Sequence, residues 1–379
     1  MIADANRRGY ELLLHGFWDE ARGHSLPLPS KRAISAAAFC KARRKITPDL
    51  LRQLLQLVKD EFVGEFGTTS RWHGRRVFAV DGAKINLQRD PDLEDAFGVP
   101  DGAYCPQVLV STLYDVCAKL AVDLRVSPHA SCERRHMLEM LDHLEPSDVL
   151  VLDRGYPSHQ TLHALDEAGV DFLFRVSASS TFKAIDILRS SGGEDYRVVI
   201  DPPKGSPKEW SALNLRAVKL TNDDGEESFF LTSLRRKDFS LADIRELYHM
   251  RWEVEEFYKL AKSDYIGQRQ FRSKTPTGIV QEIHALALFL SVSRYLMALA
   301  AKADDRDVDE IGQKAAVLAT ADYLVRIFLR DDEGVARQRL RDLLNRIAEY
   351  RYRKRPGRSF TRRSFKPNPK WGPDGRRGG

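Results

Sequence analysis

Residues 76–87, RVFAVDGAKINL, decide the fold class of this chain. Their apolar run, from Val77 to Val80, favours a buried β-strand, and the Asp-Gly pair that follows is typical of a break in the chain. A carboxylate in such a strand is costly to bury without a partner. We therefore expect a strand that breaks at Asp81 and Gly82, and we treat Asp81 as a candidate functional residue.

A second apolar strand, DVLVLD at residues 148–153, also ends on a carboxylate, Asp153. Around these two strands, strand-like and helical patterns alternate. They predict further strands at 107–114, 119–127 and 171–176, and helices at 133–144 and 158–168. Three strands and a helix, then strand, helix and strand, predict an α/β layer with a central mixed sheet.

The remaining sequence divides into further segments. Helical patterns cover 10–22, 35–45 and 47–66, with Ser35 as a helix N-cap and Pro48 at a first helical position. Three strand-like runs, 196–200, 213–220 and 228–234, are separated by turn sequences. We therefore divide the chain into an N-terminal helical domain (1–70), a core in two parts (71–178 and 239–300), a β-rich insertion (179–238), a C-terminal helical region (301–349) and a tail (350–379).

The N-terminal helices carry a basic segment, KARRKI at residues 41–46. Clustered Lys and Arg on one helix are the electrostatic footprint of a DNA-binding head. The alternative is a helical subdomain whose basic face is incidental. We interpret residues 1–70 as a DNA-binding domain.

Several features indicate a cytoplasmic protein. The chain has four cysteines and no CxxC spacing, which is typical of free thiols in a reducing compartment. Residues 1–24 show no signal-peptide pattern. The most apolar segment, 283–301, contains His284 and Arg294, so it predicts a buried helix and no membrane span.

The net charge of +6 hides an asymmetry. Residues 350–379 contain eleven Lys and Arg residues and one acid, Asp374, so the rest of the chain is slightly acidic. Aromatic residues are interleaved with these cations, and proline and glycine replace helical periodicity. This composition favours a disordered arm on a polyanion, and the alternative is a terminus that only improves solubility.

Residues 248–264, YHMRWEVEEFYKLAKSD, predict a helix with an unusual polar stripe. Spacings of three and four residues place five side chains on one line: Tyr248, Arg251, Glu255, Lys259 and Lys262. The neighbouring stripe is almost wholly apolar and would pack on the core. An ordinary surface ion pair between Glu255 and Lys259 is the simpler alternative.

The two strand aspartates give this stripe a chemical interpretation. Asp81, Asp153 and Glu255 would repel one another if brought together, unless cations neutralise them. Oxygen-only ligands suit Mg²⁺ or Mn²⁺, and two such ions can activate an attacking oxygen and stabilise a leaving one at a phosphodiester. Arg251 and Lys262 would then bind phosphate.

A competing metal site is weaker. His129, Cys132 and His136 have a spacing that zinc could use, but no fourth ligand is near in the sequence. Helix capping or surface placement explains these residues more simply.

The spacing Tyr248-x2-Arg251-x3-Glu255-x6-Lys262 resembles the Y-R-E-K signature of the insertion-sequence-four family of bacterial DDE transposases. AVDGAKINL resembles the family block that holds the first catalytic aspartate, here Asp81. VLDRGYPSHQTL resembles the second block, here Asp153. The segment SCERRHMLEML resembles a Ser-Glu-Arg block of the family, for which a charge at a helix N-terminus is an alternative explanation.

The resemblance implies an RNase H-like catalytic core with a β-strand insertion. It also implies Mg²⁺-dependent cleavage of insertion-sequence ends and their joining to target DNA by a dimer on paired ends. Asp81, Asp153 and Glu255 would be the catalytic metal ligands, and Tyr248, Arg251 and Lys262 would bind DNA. Such a protein acts on double-stranded terminal inverted repeats and is associated with the nucleoid when bound to DNA.

Three alternatives stay open at this point. A degenerate transposase could persist as a non-catalytic DNA-binding protein, and a stand-alone RNase H-like nuclease could cut without joining. A hydrolase using two of the carboxylates would leave Arg251 and the basic tail unexplained. The insertion also offers three aromatic side chains for stacking on a flipped base, with ordinary packing as the alternative role: Trp210, Phe229 and Phe230.

Overall fold

The computed structural model describes residues 9–23, 28, 30–177, 182, 185–261, 271–328 and 332–352. The chain forms two compact units. The sheet unit contains Leu55–Ile85 and Leu109–Lys259, and the helical unit contains Met1–Leu54, Asn86–Val108 and Leu260–Gly379.

The described strands are β1 (Val77–Asn86), β2 (Gln107–Asp115), β3 (Leu120–Pro128), β4 (Val149–Leu152), β5 (Asp171–Val176), β6 (Asp195–Ile200), β7 (Leu213–Thr221) and β8 (Glu227–Thr232). The described helices are α1 (Tyr10–Gly23), α2 (Ala36–Arg43), α3 (Pro48–Phe66), α4 (Pro91–Phe97), α5 (Glu133–Glu139), α6 (His159–Glu167), α7 (Asp186–Ser190), α8 (Leu241–Met250), α9 (Trp252–Lys259), α10 (Pro276–Ala303), α11 (Gln313–Phe328) and α12 (Glu333–Glu349).

The eight strands form one mixed sheet with the order β3-β2-β1-β4-β5-β8-β7-β6. The central strands β1, β4 and β5 are parallel, and the crossover from β4 to β5 contains helix α6, as parallel neighbours require. The predicted α/β class with a central mixed sheet is confirmed.

The insertion continues this sheet. Its three predicted strands are present as β6, β7 and β8, which pair antiparallel, and β8 pairs antiparallel with β5. Pairing with β8 covers the edge that β5 would otherwise expose.

The predicted break at Asp81 and Gly82 is wrong, since β1 continues through both residues to Asn86. Gly82 keeps a strand conformation. A glycine inside a strand often marks a close approach of another group. Here the carboxyl of Glu133, from α5, lies against Gly82.

Two predicted helices are shorter than expected. The helix predicted over 133–144 ends at Glu139 and is followed by a 3₁₀ turn, Leu141–His143. The helix predicted over residues 248–264 is interrupted at Arg251, between α8 and α9. There the N–H of Arg251 donates to the carbonyl of Tyr248 at 3.3 Å, and the N–H of Val254 donates to the carbonyl of Arg251 at 3.2 Å. In both of these bonds an N–H donates to the carbonyl three residues before it, which is the tighter 3₁₀ pattern.

The two faces of the sheet have different roles. Alternate residues of β1, β4 and β5, such as Val80, Leu152 and Phe174, form the main hydrophobic core with side chains of α5, α6 and α7. Successive side chains of a strand point to opposite faces, so Asp81 and Asp153 belong to the other face. Aromatic contacts place α8 and α9 on that face, where Phe230 meets Tyr248 and Tyr114 meets Phe257.

In the helical unit, α1 and α2 are held on α10 by a buried polar group. The Arg43 guanidinium donates to Glu282 at 2.9 Å and to Gln281 at 3.0 Å, and the Tyr10 hydroxyl donates to Glu282 at 2.9 Å. Arg43 therefore has an internal structural role, whereas Lys41, Arg44 and Lys45 are exposed.

Helix α10 is long and apolar enough to cross a membrane by length and composition, but 67% of its most apolar window is buried within the protein. It packs with α11 and α12 around residues such as Met297, Ala316 and Leu343. Burial of this kind is typical of the core helix that the sequence predicted.

Candidate active site

Asp81 and Asp153 lie near each other just beyond the paired segment of two parallel strands, Asp81 within β1 and Asp153 directly after β4. Ala79 of β1 pairs with Val151 of β4, and the two aspartates lie two residues further along the same face. The carboxyl ends of parallel strands share one edge of the sheet, which is where α/β proteins place their ligands.

Arg175 extends this row. Val151 of β4 pairs with Leu173 of β5, so Arg175 follows on the same face as Asp153. Arg175 in turn pairs with Phe230 of β8, and its guanidinium donates to Ser228 at 3.3 Å. The insertion therefore supports a cation beside the second aspartate.

Tyr248, at the end of α8, closes over this row. Its ring packs on Phe230 at a centroid distance of 4.7 Å, and its hydroxyl lies 3.5 Å from Asp153 Oδ1. Burial raises the pKa of Tyr248, so the phenol is a neutral donor beside the carboxylate at any ordinary pH.

Arg251 and Glu255 form an ion pair, with 2.5 Å between Arg251 Nη2 and Glu255 Oε1. The arginine side chain is 11% exposed and the glutamate 33%. Burial alone would lower the pKa of Arg251, but Tyr248, Glu255 and Asp153 raise it. Arg251 also interacts electrostatically with Asp81, so one guanidinium lies within electrostatic reach of all three predicted carboxylates.

The carboxyl of Asp81 has a pKa raised to about 6. Burial is the largest cause, Arg251 opposes it, and the charges of Glu255 and Glu133 add to it. A carboxylate that is buried beside two others gains from any cation that approaches. The electrostatics of the site therefore favour a bound cation.

Tyr258 fixes α9 to the strands. Its hydroxyl lies 3.0 Å from the carbonyl oxygen of Asp81, 2.9 Å from that of Val110 and 2.9 Å from Thr112 Oγ1. Glu255 lies one helical turn before Tyr258. The phenol thus holds the helix of Glu255 against the strand of Asp81.

Sequence patterns alone assign no role to Arg175 or Tyr258. A cation inside an apolar strand, DFLFRV, is a signal that could have identified Arg175. Tyr258 had no comparable signal, because its position on the apolar side of α9 is typical of packing. Lys262, the last residue of the predicted signature, lies outside the described residues.

The donor set of the site suits a hard divalent cation. Asp81, Asp153 and Glu255 offer only carboxylate oxygens, which Mg²⁺ and Mn²⁺ prefer. Among the residues that the structure describes, one group of three possible ligands has all of its ligand atoms within 4.8 Å of one another: His73, Asp243 and Glu246. His73 and Glu246 are exposed, and Asp243 is half-buried. The predicted carboxylates are more widely spaced around Arg251.

The competing zinc hypothesis does not fit the geometry. His129, Cys132 and His136 do not form a metal-sized group in the described part of the chain. The ring of His136 is buried, with Nδ1 2.8 Å from Ser111 Oγ. His136 therefore has a structural partner.

The three insertion aromatics all pack within the protein. Phe229 and Phe230 are buried, and Trp210 stacks on His163 at a centroid distance of 4.2 Å. Their contacts therefore fit ordinary packing, the alternative to stacking on a flipped base.

The chain is similar in sequence to a known protein family. A family model described as a transposase DDE domain matches residues 72–292. Among solved structures, the piggyBac transposase synaptic complex with hairpin DNA is 11% identical, with a TM-score of 0.44, over 75% of this chain and 59% of that chain. The Mos1 transposase paired-end complex with the left transposon end is 13% identical, with a TM-score of 0.20, over 44% and 58% of the two chains.

The chain thus spans less than two thirds of either solved transposase chain. No curated protein matches it. The family model covers more than half of the chain, and the matched segment includes the row of Asp81 and Asp153 and the helix of Glu255. This chain belongs to the transposase DDE domain family.

Proposed function

We propose that this transposase cleaves the ends of an insertion sequence and joins them to target DNA by phosphoryl transfer. The observation that supports the proposal is the placement of Asp81 and Asp153 on one face of neighbouring parallel strands, with Arg251 interacting electrostatically with both aspartates and with Glu255. A single surface ion pair would not need two strand aspartates on the same face.

Asp81, Asp153 and Glu255 are the catalytic residues of this proposal and would hold divalent metal, Mg²⁺ or Mn²⁺. When bound, two such ions would activate an attacking water or 3′-hydroxyl and stabilise the departing oxygen. The protein contributes a rigid frame, because both aspartates are on sheet strands and Tyr258 fixes the helix of Glu255 to β1.

Tyr248, Arg251 and Lys262 would bind the DNA phosphates near the cleaved bond. Arg251 is already desolvated and paired with a carboxylate, so a phosphate could replace Glu255 as its partner in a bidentate contact. Glu255 would then be free to bind metal. Arg175 adds a further cation on the same face.

The DNA partners would be the terminal inverted repeats and the target duplex, bound by a homodimer on paired ends. The exposed Lys41, Arg44 and Lys45 of the N-terminal helices and the basic tail would contact phosphates. Such contacts position the protein on DNA and make binding depend on salt.

The test is cleavage and strand transfer on a linear duplex that carries the flanking inverted repeat, with Mg²⁺ or with EDTA. Wild type is compared with Glu255→Gln. Glu256→Gln is the matched control, because Glu256 is the next residue and its carboxylate bonds Trp252 and Lys259. We expect wild type and Glu256→Gln to nick at the repeat boundary and join the ends, and Glu255→Gln to do neither.

Two results would replace the proposal. Metal-dependent cutting without joining would indicate a stand-alone nuclease. Specific DNA binding without cutting, in wild type as in Glu255→Gln, would indicate a non-catalytic DNA-binding protein.

A further inference from the structure

A fourth carboxylate approaches the site from the opposite face of the sheet. Glu133 is the first residue of α5, the helix that follows β3, and α5 packs through Met137 and Met140 on the main core. Asp81 faces α8 and α9 on the other side. Gly82, the next residue of β1, is on the α5 side of the sheet, so a side chain of α5 can lie against the strand at that position.

Gly82 provides the space for this approach. A Cβ atom at position 82 would lie 2.5 Å from Glu133 Oε2 and 2.6 Å from Oε1. A Cβ atom is essentially never found this close to a non-bonded atom, so the Glu133 carboxyl occupies the place where any other residue would carry its side chain. Gly82 does not need a left-handed backbone conformation, since it keeps the strand. The close contact with Glu133 accounts for a glycine inside β1.

The Glu133 carboxylate is also held in place. The hydroxyl of Tyr156, a buried core residue, donates to Glu133 Oε2 at 3.3 Å. Glu133 contributes to the electrostatic environment of Asp81 and of Tyr258. The carboxylate therefore lies within the same polar cluster as the first predicted metal ligand.

Stabilisation of the helix N-terminus does not account for this arrangement. An acidic residue in the first turn can stabilise a helix from an exposed position, and such a role requires neither a hydrogen bond to a core tyrosine nor a glycine on a neighbouring strand. Holding a carboxylate beside Asp81 instead costs free energy through charge repulsion, unless a cation is bound there.

We propose that Glu133 is a fourth carboxylate ligand of the divalent metal site, and that position 82 is glycine so that this carboxylate can reach Asp81. The inference rests on the proposed function, because it concerns the same metal site. It adds a ligand from α5 to the three proposed ligands Asp81, Asp153 and Glu255.

The test is Mn²⁺ binding to the full-length protein without DNA, measured by calorimetry and by electron paramagnetic resonance of free Mn²⁺. We expect Glu133→Gln to raise the Kd for Mn²⁺ by about 10- to 100-fold, the usual effect of altering a residue that supports a metal site. Glu139→Gln is the matched control on the same helix, because Glu139 is exposed and pairs with Arg135. The control should keep the wild-type Kd.

A second pair of variants tests the role of Gly82. Gly82→Ala should weaken Mn²⁺ binding without removing any charge, because the new methyl group displaces the Glu133 carboxyl. In a Glu133→Ala background the methyl group meets no carboxyl, so Gly82→Ala should have no further effect. This non-additivity is the signature of a shared contact. Cooperative thermal unfolding without metal shows that each variant is folded.

The outcomes separate this inference from the proposed function. If Asp81→Asn loses Mn²⁺ binding while Glu133→Gln keeps the wild-type Kd, the proposed role of Glu133 is overturned and the proposed function is not. Equal weakening by Gly82→Ala in both backgrounds overturns the explanation of Gly82. Absence of Mn²⁺ binding in wild type, together with absence of DNA cleavage, overturns the proposed function as well.

Discussion

At the scale of single residues, Arg251 determines the electrostatics of the candidate site. Its guanidinium is the first group that opposes the effect of burial on Asp81, whose pKa is raised to about 6. Removing the charge leaves Asp81 beside Glu255 and Glu133 without that counterion. The protonation state of Asp81 is therefore the property most directly linked to Arg251.

Arg251→Gln is expected to raise the pKa of Asp81 further. The measurement is a pH titration of the carboxyl carbon of Asp81 by nuclear magnetic resonance. Arg154→Gln serves as the control, since Arg154 is exposed and next to Asp153. An unchanged Asp81 titration in Arg251→Gln would show that Arg251 does not stabilise the ionised carboxylate.

Asp115 provides a pH-dependent contribution to stability away from the site. Its carboxylate is buried at the end of β2, and Oδ1 accepts the N–H groups of Cys117 and Ala118 at 3.0 and 2.8 Å. Burial raises its pKa to about 6, above the value of an unfolded chain. The folded state then binds the proton more tightly than the unfolded state, so this contribution is present at low pH and is lost as the pH rises through 6.

When the pH is lowered from 7 to 4.5, wild type should therefore gain about 2 kcal/mol of unfolding free energy relative to Asp115→Asn. The substituted amide keeps an accepting oxygen but cannot titrate. Urea unfolding at several pH values measures the difference, and Asp142→Asn, at an exposed position, is the control. A constant difference across this range would contradict the assignment.

At the scale of elements, Tyr258 links α9 to β1 and β2. Tyr258→Phe removes a hydroxyl that contacts two carbonyls and Thr112 and leaves the buried Thr112 hydroxyl without this partner. We expect a loss of about 1–3 kcal/mol in unfolding free energy. We also expect weaker Mn²⁺ binding, because the position of Glu255 relative to Asp81 becomes less defined.

Chemical denaturation and Mn²⁺ titration of Tyr258→Phe check both effects. Tyr104→Phe is the matched control, because Tyr104 is 63% exposed. Reduced stability with unchanged Mn²⁺ binding would limit Tyr258 to a packing role.

At the scale of the whole molecule, the basic tail should set the salt dependence of DNA binding. Residues 353–379 contain ten Lys and Arg residues. Truncation after Tyr352 keeps the hydrogen bonds that join Tyr350 to Gly312 and Tyr352 to Glu310. We expect the truncated protein to bind DNA more weakly. The slope of the logarithm of the association constant against the logarithm of the salt concentration should also be shallower, by roughly 0.9 for each phosphate that the tail neutralises.

Fluorescence anisotropy between about 50 and 200 mM salt measures the slope, a range over which such interactions change affinity strongly. A full-length variant with serines in place of the tail cations separates charge from length. An unchanged slope in both proteins would assign the tail to solubility alone.

The sequence by itself determined the order and type of most elements, because helices and strands follow from local hydrophobic periodicity and from caps such as Ser35 and Pro48. It also placed Asp81 and Asp153 at strand positions where a carboxylate needs a partner. The triad and its metal stay a proposal, tested by the experiments above.

Only the tertiary structure decided which distant side chains meet. The pairing of β1, β4, β5 and β8 aligns Asp81, Asp153 and Arg175, and the register of that sheet has no local signature. The contact between Glu133 of α5 and Gly82 of β1 likewise joins residues that are distant in sequence and meet only in the folded chain. Local patterns predict elements because the backbone has few allowed conformations, whereas contacts across the sheet depend on how the whole chain packs.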